Sequence, residues 1–188
     1  MAQSSRPATI RLFVAVGLPD IQLRALAAYV ERCRTAAPGF RWVSAENLHL
    51  TLRFIGNVRE EVAAEVERSL EQVTFRPFQL ALSRLGVFGR GPRARVVWIG
   101  TGEGEEELRG LAAGVDSACL AAGLPAEERL YNPHLTLARA AGGRPAPLPE
   151  LPPAPELPAW LVNSFGLYQS RLAPTGAIYS VVRAYPSG

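Results

Sequence analysis

The sequence predicts an α+β protein, a single two-lobed domain across residues 1–188. Its sheets should be mainly antiparallel and related by a pseudo-two-fold around a central cleft. Three observations predict this. Strand-like and helix-like segments succeed one another without the regular strand–helix repetition of a parallel sheet. The tetrapeptide His49-Leu50-Thr51-Leu52 returns letter for letter as His134-Leu135-Thr136-Leu137, each time on a strand-like segment that comes after a helical one. The chain has 188 residues, 48% of them hydrophobic, which is enough for one domain or for two small lobes sharing a core.

From the N-terminus, IRLFVAVGL is an apolar strand, and Pro19-Asp20 opens a helix with Leu23, Leu26, Ala27 and Val30 on one face, ending near Pro38-Gly39. FRWVSAENLHLTLRFIG carries one or two strands and stops at Gly56-Asn57. EEVAAEVERSLEQV is the most periodic helix, with Val62, Val66, Leu70 and Val73 in one stripe. FQLALSRLGVFG and ARVVWIGTG read as a hairpin turning at Gly89–Pro92. A third helix runs from about Glu105 to Ala122, stopped by Gly123-Leu124-Pro125, and leads to the second HLTL strand. Residues 142–158 are dense in proline and read as an extended surface connection, with PxxP spacings of the kind that SH3-type domains bind. WLVNSFGLYQSRL and AIYSVVRAYP close the chain as two strands.

Composition narrows the function classes. No apolar run approaches the roughly 20 residues of a membrane span, and the start reads as a first strand behind a polar tail, so a cytoplasmic setting is expected. Cys33 and Cys119 lie far apart without metal-type spacing and read as buried apolar residues. All 20 basic residues are arginine. Without lysine there can be no lysyl-nucleotide intermediate and no Schiff base. Arg90, Arg93 and Arg95 cluster at the hairpin turn as a candidate RNA-backbone patch, or equally as a solvated tip.

The repeated tetrapeptide carries the chemistry. The chain has two histidines, and each opens a copy of HLTL. At this composition a given histidine would be followed by LTL on the order of once in a thousand trials. Alternation along a strand puts His and Thr on one face and both leucines on the other, so the leucines anchor while His and Thr face a groove. Two imidazoles suit paired general acid and general base work near neutral pH. Two threonine hydroxyls suit hydrogen bonding to phosphoryl oxygens. A two-histidine, one-carboxylate metal site and a phosphate-binding site without turnover use the same residues. The first lacks any nearby HxD or HxxE spacing and leaves the threonines unexplained.

Two HxT motifs on an arginine-rich chain of this size resemble the 2H phosphoesterase superfamily. RLFVAVGLP, NLHLTLRFIGNV, PHLTLAR and FGLYQSRLAPTGAIY narrow the resemblance to the bacterial and archaeal RNA 2′,3′-cyclic phosphodiesterases, long labelled 2′-5′ RNA ligases. The resemblance implies two α+β lobes around a cleft holding both motifs. It implies opening of RNA 2′,3′-cyclic phosphate ends to 2′-phosphomonoesters, with reversible 2′-5′ ligation, without cofactor or metal. His49 would be the proton donor, His134 the proton acceptor, and Thr51 and Thr136 phosphate ligands. RNA ends or related nucleotides would be the partners of a monomer. A small-nucleotide phosphodiesterase and a non-catalytic RNA-end binder are the alternatives. Arg53 and Arg139 are further phosphate candidates. Arg53, four residues after His49, shares its face on a regular strand, whereas Arg139, five after His134, faces away unless a bulge intervenes. Trp42 and Tyr131 lie near enough to stack a base, with core packing as their simpler role.

Overall fold

The computed structural model describes residues 9–90, 92–174 and 176–188. β1 (Thr9–Val16) leads through Pro19 into α1 (Asp20–Ala36), whose first-turn Asp20 complements the helix dipole. β2 (Phe40–Trp42) and a short 3-10 turn precede β3 (Leu50–Arg59), followed by α2 (Glu60–Leu70). Then come β4 (Phe78–Leu80), β5 (Leu82–Arg90), β6 (Arg93–Thr101) and α3 (Glu105–Ala121). β7 (His134–Ala140), β8 (Ala146–Pro147), β9 (Trp160–Val162), β10 (Ser164–Ala173) and β11 (Gly176–Pro186) complete the fold.

The mixed α+β architecture and its antiparallel sheet are as the sequence predicts. The main sheet has the order β11-β10-β1-β3-β7-β6-β5, with β2 also on β7 and β8 on β6, and every pairing is antiparallel. The two HLTL strands are neighbours at its centre and pair at Leu50 and Leu135, the same position of the two copies. Antiparallel pairing of equivalent residues puts a local two-fold axis through that pair. Outward from it run β3-β1-β10 and β7-β6-β5, with α1 joining β1 towards β3 and α3 joining β6 to β7. The halves are therefore joined in one sheet, rather than each owning a separate one, and the seam is a single residue pair.

Elsewhere the boundaries shift. β3 does not stop at Gly56-Asn57. It runs on to Arg59, because Gly56 takes a positive φ of 83° inside the strand without a Cβ penalty. FQLALSRLGVFG divides into β4 and β5, and WLVNSFGLYQSRL likewise breaks after β9. β4 and β9 pair with each other as a separate two-stranded sheet.

Leu12, Val14, Val16, Leu50, Leu52, Val97, Ile99, Leu135 and Leu137 join the apolar stripes of the three helices in one core. The helices thus cover one sheet face and leave the other to the site. Leu148, Leu151, Ala154 and Leu157, every third residue of the proline-dense segment, also pack against this core. That is the three-residue period of an extended left-handed proline helix. The segment is strapped to α1, with Tyr29 Oη donating to the Pro152 carbonyl at 2.8 Å and Gln22 Nε2 to the Pro158 carbonyl at 3.1 Å. Among the described residues no helix is long and apolar enough to cross a membrane.

Candidate active site

Both motif strands bulge at the same place. Along β3 the partners on β1 run Ala15 with Thr51 and then Val14 with Arg53, leaving Leu52 as the extra residue. Along β7 the partners on β6 run Trp98 with Thr136 and then Val97 with Ala138, leaving Leu137 as the extra residue. An extra residue reverses the alternation beyond it. On the open face β3, with His49 just before it, therefore presents His49, Thr51 and Phe54, while β7 presents His134, Thr136 and Arg139. Carried on by one residue, the Leu50–Leu135 pairing would set His49 opposite Thr136 and Thr51 opposite His134. On that register the histidines would stand on a diagonal, roughly 7–8 Å apart and somewhat less between Cβ atoms, which would leave room for a phosphoryl group between the rings.

The two rings are held alike. His49 Nδ1 lies 2.7 Å from the Asn47 carbonyl and His134 Nδ1 2.7 Å from the Asn132 carbonyl. A carbonyl only accepts, so Nδ1 carries the proton in both and Nε2 is free to give or take one. Each ring sits between two aromatic side chains. His49 meets Phe13 and Tyr179 at centroid separations of 4.8 and 5.3 Å, and His134 meets Phe88 and Trp98 at 5.0 and 6.2 Å. Burial pushes both imidazole pKa values down, the Asn carbonyl contacts pull them back up, and the Arg139 charge lowers both further. Thr51 and His134 line a cavity of about 580 Å³ that reaches between β3 and the chain preceding β7 as far as α3.

The sequence matches the family described as LigT like phosphoesterase twice, over residues 16–98 and 99–179, one HLTL copy in each. The chain belongs to this family. Among its relatives, the RNA 2′,3′-cyclic phosphodiesterase of Aeropyrum pernix is 41% identical over 78% of this chain and 87% of its own. That of Archaeoglobus fulgidus is 35% identical over 94% of this chain and 99% of its own. The crystal structure of E. coli LigT complexed with 3′-AMP is 28% identical and superimposes with a TM-score of 0.78, covering 96% of this chain and 99% of that one.

In this family member the two arginines exchange the positions that simple alternation assigns them. Arg53, expected beside His49, is turned by the Leu52 bulge to the helix side. It is 7% exposed, paired with Asp116 of α3 and bonded to the Pro125 carbonyl. It thereby ties β3 to α3, and it also lines the cavity that Thr51 and His134 share. Arg139 is turned by the Leu137 bulge onto the histidine face, where its charge lowers both imidazole pKa values. Trp42 is a core residue whose Nε1 donates to the Ala37 carbonyl at 3.1 Å. Tyr131 lines the cavity, its buried hydroxyl unpartnered among the described residues and its pKa pushed up by burial. Cys33 and Cys119 are buried and free. Among the described residues no three of His, Cys, Asp and Glu come together as a metal-binding group.

Sequence reading missed the four aromatic walls and both asparagines. The asparagines had a visible signal, since NLHLTL and NPHLTL share Asn two residues before His. The walls come from strands distant in sequence. Gly86 makes room for one of them: it faces Trp98 across the β5–β6 pairing, and a Cβ there would lie 2.2 Å from the indole.

Proposed function

We propose that this chain hydrolyses 2′,3′-cyclic phosphate ends of RNA to 2′-phosphomonoesters by proton transfer between two histidines. The observation that carries the reading is the matched pair of Nδ1 contacts to Asn47 and Asn132, which leaves two Nε2 atoms on one face. The relatives named as RNA 2′,3′-cyclic phosphodiesterases support the substrate.

In this reading His134 Nε2 takes a proton from water as the water oxygen bonds to phosphorus. The bond from phosphorus to O3′ breaks, and His49 Nε2 gives its proton to the departing O3′, leaving the phosphate on O2′. Thr51 and Thr136 donate hydrogen bonds to the two non-bridging oxygens, and Arg139 offsets the charge that builds on them. The same displacement with an RNA 5′-hydroxyl in place of water makes a 2′-5′ linkage. No cofactor or metal enters these steps. The two sequence halves act as the two lobes of one domain, with the proline-dense segment of 142–158 as its strap, in a cytoplasmic monomer. The relative solved with 3′-AMP holds a single nucleotide, which keeps small cyclic nucleotides as a second substrate class.

The test is incubation of an oligoribonucleotide ending in a 2′,3′-cyclic phosphate, in EDTA, with the position of the product phosphate identified. A 2′-phosphate that disappears in His49→Ala and His134→Ala is expected. A 3′-phosphate, or turnover that requires added metal, would overturn the mechanism.

A further inference from the structure

We propose that an arginine-lined groove beside the His134 wall holds the phosphodiester backbone of the RNA strand upstream of its cyclic end. This rests on the proposed RNA-end chemistry and adds a site for the rest of the strand. The groove encloses about 780 Å³ along the β5–β6 hairpin and is lined by Phe88, Arg90, Arg93, Arg95, Arg144 and Pro145. Phe88 also lines the cavity shared by Thr51 and His134 and meets His134 edge-on at 5.0 Å, so the groove begins beside His134.

Strand register directs the arginines there. Phe88 and Arg90 are two apart on β5 and share a face. Across from them, Phe88 pairs with Val96 and Gly89 with Ala94, which makes Arg95 an extra residue and brings Arg93 opposite Arg90. Arg93 donates from Nε and Nη2 to the Pro145 carbonyl at 3.1 and 2.7 Å, holding the hairpin against the segment that carries Arg144. None of the four arginines makes an ion pair among the described residues. The sequence supplies no carboxylate between residues 81 and 102 or between 131 and 149. Unpaired guanidinium groups gathered on one wall repel one another, and a polyanion relieves that repulsion while occupying their planar forks. A strand leaving the active site past Phe88 carries phosphates at regular intervals, which four arginines along one groove can meet.

The test uses the full chain with Arg90→Gln, Arg95→Gln and Arg144→Gln combined, leaving Arg93 to hold the hairpin, and a matching triple Lys variant. kcat/KM is measured on cyclic-phosphate substrates from one to eight nucleotides long. Wild type should gain on the order of ten-fold with length, and the Gln variant should lose that gain while turning over the cyclic mononucleotide at the wild-type rate. The Lys variant should keep most of it. Anisotropy of a fluorescent octaribonucleotide ending in a 2′-phosphate reads the groove even if nothing is turned over. There the slope of log Kd against log salt should fall by roughly 0.7 for each phosphate contact removed. Equal length dependence in wild type and Gln variant, together with equal salt slopes, would reduce the groove to a solvated hairpin tip. Failure of every cyclic substrate in wild type would count against the proposed function, with the salt slopes still deciding the groove.

Discussion

β3 and β7 carry the same tetrapeptide, the same Nδ1 contact to an asparagine two residues back, and the same bulge at the second leucine. Beyond the bulge they differ. β3 sends Arg53 into the helix layer and leaves the 57% exposed Phe54 on the open face. β7 buries Ala138 at the matching position and puts Arg139 on the open face. The walls differ too, Phe13 and Tyr179 around one ring against Phe88 and Trp98 around the other. In the proposed mechanism the shared part would supply two equivalent proton carriers. The differing part would supply a single charge and a direction, which the proposed mechanism needs for equivalent groups to do opposite work on an asymmetric substrate.

Removing the shared part should have the largest effect. His49→Ala and His134→Ala should each lower kcat by roughly 10²–10⁴, and the double variant should lose less than the product, because the two act in one step. Two independent, multiplicative losses in single-turnover assays would break the pairing.

Removing the asymmetric charge comes next. Arg139→Gln should lower kcat/KM about ten- to hundred-fold, the scale of one hydrogen bond to a charged group. It should also move the pH profile. A base works once deprotonated and an acid while protonated, so lowered pKa values on both histidines bring both limbs of the bell to lower pH. The wild-type optimum of kcat/KM therefore belongs below about pH 6.5. Without the Arg139 charge both pKa values rise and both limbs move to higher pH. A pH–rate profile unchanged by Arg139→Gln would show that its charge does not reach the rings.

The arginine of the other strand should behave as a structural residue. Arg53→Met should reduce stability by about 1.5–3 kcal/mol in urea melts, short of a fully buried pair because Asp116 keeps 29% of its side-chain surface. Its kcat should stay near wild type, and a large fall in kcat at full stability would show that the Arg53 charge acts on the phosphate. The smallest effect belongs to Gly86→Ala, which forces Trp98 off its bed. About 1–3 kcal/mol of overpacking should appear as a lowered Tm, with a modest rise in KM.

The site was legible in the sequence where it depends on local spacing and hidden where it depends on register. HLTL shows its own alternation, so the His–Thr pairs and the antiparallel α+β fold could be read directly. A bulge leaves no mark within its own strand. It exists only relative to a neighbour, so simple alternation puts Arg53 on the histidine face, whereas the structure turns it to the helix side. Alternation reaches Arg139 only through the bulge named as a condition. The aromatic walls were hidden for the same reason, since Phe13, Phe88, Trp98 and Tyr179 reach the histidines only through strand order. The proline-dense segment looked like a plain connection because a three-residue apolar period is easily lost among prolines, yet Leu148, Leu151, Ala154 and Leu157 bind it to the core.

The most direct test of the central claim, that two equivalent histidines divide opposite proton work, is a substrate whose leaving atom needs no proton. A cyclic phosphate with sulfur in place of the bridging 3′-oxygen leaves as a thiolate without an acid's help. On it His49→Ala should recover most of its lost rate while His134→Ala stays impaired. Equal impairment of both variants, or rescue of His134→Ala instead, would contradict the account.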